Sequence, residues 1–231
     1  MGTDRSQTLS ATNTDGSVIG VIKMTISYLT MRRCIGVLAL AFPIILIIFG
    51  GFPMQTSISA TYWTNSNVLF TSILVTMGIF LISYNGYDKK DKWITSISGV
   101  ALIGVALFPC EVGINPVTNA YLFSFLSPKV NAIFHYGFAI ITFSFMGIMS
   151  LIQFTKSTGP VSANKKKRNL IYKICGYVIF GILFLALILE LIPNAREITD
   201  TIRLWYWLEA LIVWTFGISW IIKGETLWAD R

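Results

Sequence analysis

The sequence predicts an all-α fold: a polytopic membrane helix bundle with six transmembrane helices and both termini cytoplasmic. Three observations carry this. The 231-residue chain is 54% hydrophobic and only 13% charged, whereas a soluble domain carries about a quarter charged residues. Its apolar residues gather in blocks close to the roughly 20 residues that cross a bilayer. Its basic residues fall in alternate connecting segments, as in cytoplasmic loops.

The six blocks are predicted over about 34–53, 68–84, 93–109, 132–153, 171–193 and 204–222. Short connections make consecutive helices antiparallel neighbours. Residues 1–33 read as a cytoplasmic tail. Within it, 1–17 is polar, rich in Ser and Thr, and expected to be disordered. Residues 18–31 are apolar but interrupted by Lys23, and are expected to form an interfacial segment. Residues 34–222 form the transmembrane domain and 223–231 a cytoplasmic C-terminal tail. Pro43 falls inside the first block and should kink it. The third block, "SISGVALIGVALF", is rich in small residues that permit close helix approach, and is expected at the bundle centre.

Orientation follows from Lys and Arg. With both termini inside, the inner segments hold Arg5, Lys23, Arg32, Arg33, Lys89, Lys90, Lys92, Lys156, Lys165, Lys166, Lys167, Arg168, Lys173, Lys223 and Arg231. The outer segments hold only Lys129, Arg196 and Arg203. This asymmetry requires an even number of spans. The run Lys165 to Arg168, in the inner loop "KSTGPVSANKKKR", is expected to contact anionic lipid headgroups. The net charge of +7 is thus explained by topology. No aromatic-interleaved basic array points to nucleic acid. Cys34, Cys110 and Cys175 lack metal-type spacing and read as packing residues. No cofactor is expected.

Chemistry, if present, is expected on the outer side. At 1.5 Å per helical residue, Glu190 lies roughly 5 Å below the outer boundary and Glu209 about 9 Å below it. His135, the single histidine, is about one turn inside the fourth block from the same face. Two readings compete. Each group pairs or reaches water on its own, Glu190 with Arg196 or Arg203. Alternatively, Glu111, His135, Glu190, Glu209, Arg196 and Arg203 line one outward-facing polar pocket.

Three active classes are weighed against simple ligand binding. A zinc lipid hydrolase needs three or four ligands, and one histidine supplies too few unless carboxylates complete the set. Carboxylates would suit a hard cation better, so the metal is left unassigned. A Ser98–His135 dyad fails on depth, because the two lie on the order of 15 Å apart along the membrane normal. Transport lacks the midplane charges and internal repeats of transporters.

The stretches "SISATYWT", "GIFLISYNGYDKKD" and "GVALFPC" resemble a pattern of six-helix bacterial membrane proteins similar to the DRAM and FRAG type of eukaryotic membrane proteins. They lie between about residues 57 and 110, under a quarter of the chain. The resemblance implies a six-helix inner-membrane protein and carries over no catalytic residue.

The expectation is therefore a non-enzymatic, multi-pass protein of the plasma (inner) membrane whose outward polar pocket binds a lipid or small ligand. Its partners would be membrane lipids and a small ligand or a protein. The alternative is a membrane-embedded metal-dependent lipid hydrolase using Glu111, His135, Glu190 and Glu209, with a small-molecule transporter behind it.

Overall fold

The computed structural model describes residues 5–51, 53–86, 88–112, 116, 121–157 and 159–228, with side chains described from Tyr28 onward. Among these residues there are seven α-helices and no strand. They are α1 (Arg5–Gly50), α2 (Asn67–Ser83), α3 (Lys89–Leu107), α4 (Pro128–Ile148), α5 (Ala163–Leu191), α6 (Ala195–Thr201) and α7 (Leu204–Lys223). A 3₁₀ turn, Ser59–Trp63, precedes α2, and a π turn, Met149–Gln153, extends α4.

Four segments are long and apolar enough to cross a membrane: Tyr28–Gly50, Pro128–Gln153, Ala163–Leu191 and Leu204–Lys223. The apolar α2 is shorter, at 17 residues, and α3 opens on the charged sequence Lys89-Lys90-Asp91-Lys92.

Three helices begin earlier than hydropathy places them. α3 starts at Lys89, α4 at Pro128 and α5 at Ala163. The reason is capping, since a helix starts where its first free N–H groups find an acceptor, whether or not that turn is apolar. Asp88 accepts from the Asp91 N–H at 2.8 Å, Ser127 from Val130 and Ser162 from Lys165 at 3.0 Å. Residues Lys165–Arg168, expected in a loop, thus form the first turns of α5.

At the N-terminal side the expected break is absent. α1 begins at Arg5 and runs unbroken to Gly50, so residues 5–17, expected to be disordered, are helical and continuous with 18–33 and the first apolar block. No proline interrupts it before Pro43. α1 continues through Pro43, and donors from α7 reach the carbonyls nearby. Tyr206 donates its hydroxyl to the Pro43 carbonyl at 2.6 Å, and Trp214 Nε1 donates to the Leu40 carbonyl at 3.0 Å. Such side-chain donors help satisfy backbone around a proline in an apolar surrounding.

Packing order follows chain order. α1 packs on α2, α2 on α3, α3 on α4 and α4 on α5; α7 then packs on both α5 and α1, closing a ring. α3 is one member of this ring rather than its hub. It buries Thr95, Ser98, Gly99, Leu102 and Ala106 but leaves Trp93, Ile97 and Val100 exposed. Phe42, Phe70, Met77, Met146, Phe216 and Trp220 fill the core.

Glycine pairs set how close three of these helix pairs come. A Cβ on Gly36 would lie 2.9 Å from the Gly217 carbonyl oxygen, one on Gly78 2.8 Å from that of Gly99, and one on Gly176 3.1 Å from that of Gly147. Small residues here let backbones touch, the packing that serves where no hydrophobic effect drives association. On the outward faces, Val37, Ile48, Val68, Ile140, Phe184 and Leu187 stay exposed. Apolar exposure on this scale marks a surface built for lipid or partners.

Candidate functional site

The two ends of the bundle differ. One end carries Arg32, Arg33, Lys156, Lys165, Arg168 and Lys223, and is called the basic end here. The opposite end carries Glu111, Glu190, Glu197, Asp200 and Glu209.

At the opposite end, the residues expected to share a pocket are distributed over separate contacts. Glu209, on the second turn of α7, accepts the Ser59 backbone N–H at 3.1 Å and so holds the start of the 3₁₀ turn. Its surroundings, including Phe42, Ile58, Phe70, Met77, Thr142 and Val213, leave a gap of only about 30 Å³. That is room for a water molecule or two, not for a lipid or a drug-sized ligand. His135 is fully buried, with Nδ1 2.7 Å from the Phe108 carbonyl oxygen.

Arg196 pairs with Glu111 at 2.9 Å, and both side chains are exposed. Glu190 also lies exposed on the last turn of α5. Partial burial works against the charge of Arg196, but Glu111, Tyr136 and Glu190 outweigh it and raise the guanidinium pKa. Arg203 donates to the Asp200 carbonyl at 2.6 Å and joins α6 to α7 in a left-handed conformation, φ 56°. Glu111, Glu190 and Arg196 therefore gather at one surface, while His135, Glu209 and Arg203 have their own partners. The segment leading into α4 is described from Tyr121, which packs edge-on against Trp63. Among the described residues, no three His, Cys, Asp or Glu side chains come together as a metal site.

The basic end holds the larger cavity, about 390 Å³. Its lining brings five cations together: Arg32 from α1, Lys156 from the loop after the π turn, Lys165 and Arg168 from α5, and Lys223 from α7. One carboxylate, Glu225, shares the lining with Ser157, Ser162 and Tyr172. Lys165, Arg168 and Lys223 are buried, at 8%, 5% and 5% exposure.

Each cation is positioned by the fold. The Lys165 ammonium donates to the Phe154 carbonyl at 2.8 Å, drawing the loop against α5. Arg168 donates to the Trp228 carbonyl just past α7. Arg32 donates to the Lys223 carbonyl and to the Tyr84 hydroxyl, each at 3.2 Å, and lies over the Tyr28 ring at 4.8 Å. The Lys223 ammonium faces the Phe154 ring at 5.5 Å.

Lys156 makes the firmest anchor, reaching Asp88 at 2.9 Å and Asp91 at 2.5 Å. Its pKa is raised, first by the hydrogen bond to Asp91 and then by the bond to Asp88, against its own burial. The Asp88 pKa is lowered, chiefly by the Asp91 N–H that it caps and next by Lys156. Behind them Gln153 donates to the Asp91 carbonyl at 3.3 Å.

The predicted lipid-contact run is divided by this arrangement. Lys165 and Arg168, three apart and on one helix face, turn into the cavity, while Lys166 and Lys167 are exposed. Arg32, Lys156 and Lys223 carry no signal in the sequence that marks them as site residues. The spacing of Lys165 and Arg168 was the one signal available, and it required knowing that the run is helical.

No protein-family model, curated protein or solved structure matches the chain.

Proposed function

We propose that this chain is a non-enzymatic, multi-pass protein of the plasma (inner) membrane that binds an anionic ligand in the cavity at its basic end. In this reading α1 to α5 and α7 are six spans and the basic end is cytoplasmic. The closed ring of helices supports the span number, as does the resemblance of residues 57–110 to six-helix proteins. The concentration of Lys and Arg at one end supports the orientation.

The cavity is the observation that carries the ligand. At about 390 Å³ it falls in the range of small-molecule sites. Arg32, Lys165, Arg168 and Lys223, from three helices, line it together, while Lys156 beside them is already paired with Asp88 and Asp91; an anion among the four is attracted by all of them. The outward pocket has weaker support, because the gap beside Glu209 admits little more than water. The hydrolase alternative has no gathered ligand set among the described residues.

The test is thermal unfolding of the protein in neutral detergent with and without inorganic pyrophosphate. Stabilisation that saturates with concentration is expected, and Lys165→Gln with Lys223→Gln should remove it. Stabilisation equal in wild type and variant would overturn the site, and none in either would overturn the function.

A further inference from the structure

We infer that the anion held at the basic end is the phosphate-bearing headgroup of an anionic lipid from the adjoining leaflet. This rests on the proposed anion-binding function and names its ligand class.

The chemistry of the lining favours phosphate. Two guanidinium forks, Arg32 and Arg168, and two ammonium groups, Lys165 and Lys223, converge on the cavity. Arginine matches phosphate oxygens in pairs, and lysine adds a compact point charge. The cavity also borders the first turn of the 29-residue α5 through Ser162 and Lys165. The aligned peptide dipoles of a long helix favour negative charge at that end. Cavity, cation set and helix end are three separate features pointing at one kind of group.

The depth of the cavity favours a lipid as the bearer. Its wall runs down α5 from Lys165 to Tyr172, about 10 Å along the axis. Just beyond Tyr172, α5 exposes Ile174, Tyr177 and Val178. On α3, Trp93 is exposed at the same end, as expected for an interfacial aromatic. The cations thus lie at headgroup level, directly above the apolar surface that acyl chains would cover. Basic pockets between helices on the cytoplasmic side suit acidic headgroups.

The experiment compares probes on the purified full chain in neutral detergent, with binding followed by native mass spectrometry. The probes are dioctanoyl phosphatidic acid, dioctanoyl phosphatidylcholine and inorganic phosphate. The inference expects one phosphatidic acid per chain, bound at least about tenfold tighter than phosphatidylcholine. Losing one charge-assisted contact costs a factor of this order. Lys165→Gln with Lys223→Gln should lose that preference, and Lys165→Arg should keep most of it. Lys166→Gln with Lys167→Gln should change it less than about twofold, as expected for exposed charges.

Inorganic phosphate bound in the cavity without phosphatidic acid would overturn the lipid while leaving the anion-binding function standing. No binding of either would overturn both. Equal loss through Lys166 and Lys167 would reduce the contact to surface attraction and overturn the inference. Unfolding temperatures without ligand show whether each variant is folded, and a collapsed double variant is replaced by Arg168→Gln alone.

Discussion

Gly99 lies so close to Gly78 that a Cβ on Gly99 would sit 2.5 Å from the Gly78 carbonyl oxygen. The obstacle is backbone, which cannot turn aside as a side chain can. Gly99→Ala should therefore push α3 away from α2 and destabilise the protein by about 1–3 kcal/mol, the usual range for overpacking. The control is Gly137 on α4, where an added Cβ meets nothing within 4 Å. There alanine should be neutral or stabilise by up to about 1 kcal/mol, through helix propensity alone. Unfolding in a mild detergent, followed by circular dichroism, compares the two. Equal effects would show that close backbone contact does not hold α2 to α3.

Lys156 fastens the loop after the π turn to the start of α3 through Asp88 and Asp91. Lys156→Met leaves the buried Asp91 carboxylate without its ammonium partner, and should cost about 1–3 kcal/mol. The pH dependence has a definite sign. Asp88 is lowered in the folded state, so its share of the stability is present at neutral pH and is lost as pH falls through that lowered value. Lys156 is raised, so its share is complete below the ordinary lysine range and is lost as pH rises through the raised value. Wild type minus Lys156→Met should thus be widest on a plateau between about pH 5 and 9. A difference that grows toward acid pH would contradict the pairing.

Glu190 and Glu209 should act independently. Glu190 is exposed at the end of α5, while Glu209 accepts the Ser59 N–H within the bundle. The effects of Glu190→Gln and Glu209→Gln on thermal stability should add within about 0.5 kcal/mol. Glu209→Leu, which removes the acceptor, should cost more than Glu209→Gln, which keeps an oxygen. Coupling above that threshold would restore a shared outer pocket.

Topology gives a prediction of its own. A cysteine replacing Lys129 in a Cys-less background should react with a membrane-impermeant thiol reagent from outside intact cells. One replacing Lys167, exposed beside the cavity, should react only after the membrane is opened. The opposite pattern would invert the bundle and place the basic cavity outside.

The helical class and the final block at 204–222 were legible because hydropathy alone delimits them; α7 spans Leu204–Lys223. Starting points were less so. Hydropathy registers the apolar stretch, while α5 actually starts at Ala163, just after its serine cap and eight residues before the predicted 171. This misplaced start concealed the site, since a basic run read as loop has no inward face. As a helix it turns Lys165 and Arg168 one way and Lys166 and Lys167 the other. Arg32 and Lys223 could not be joined to them from sequence. They meet only because α7 returns to pack on α1 and α5 together. At the opposite end the sequence reading rested on a common depth for His135, Glu190 and Glu209. Depth along the membrane says nothing of position around the ring.

The most direct test of the account is calorimetric titration of inorganic pyrophosphate into the purified protein in neutral detergent. The account predicts one saturable site per chain that weakens with rising salt. It also predicts that Lys165→Gln with Lys223→Gln reduces the affinity at least about tenfold. Absence of saturable binding, or equal affinity in wild type and a folded double variant, would contradict it.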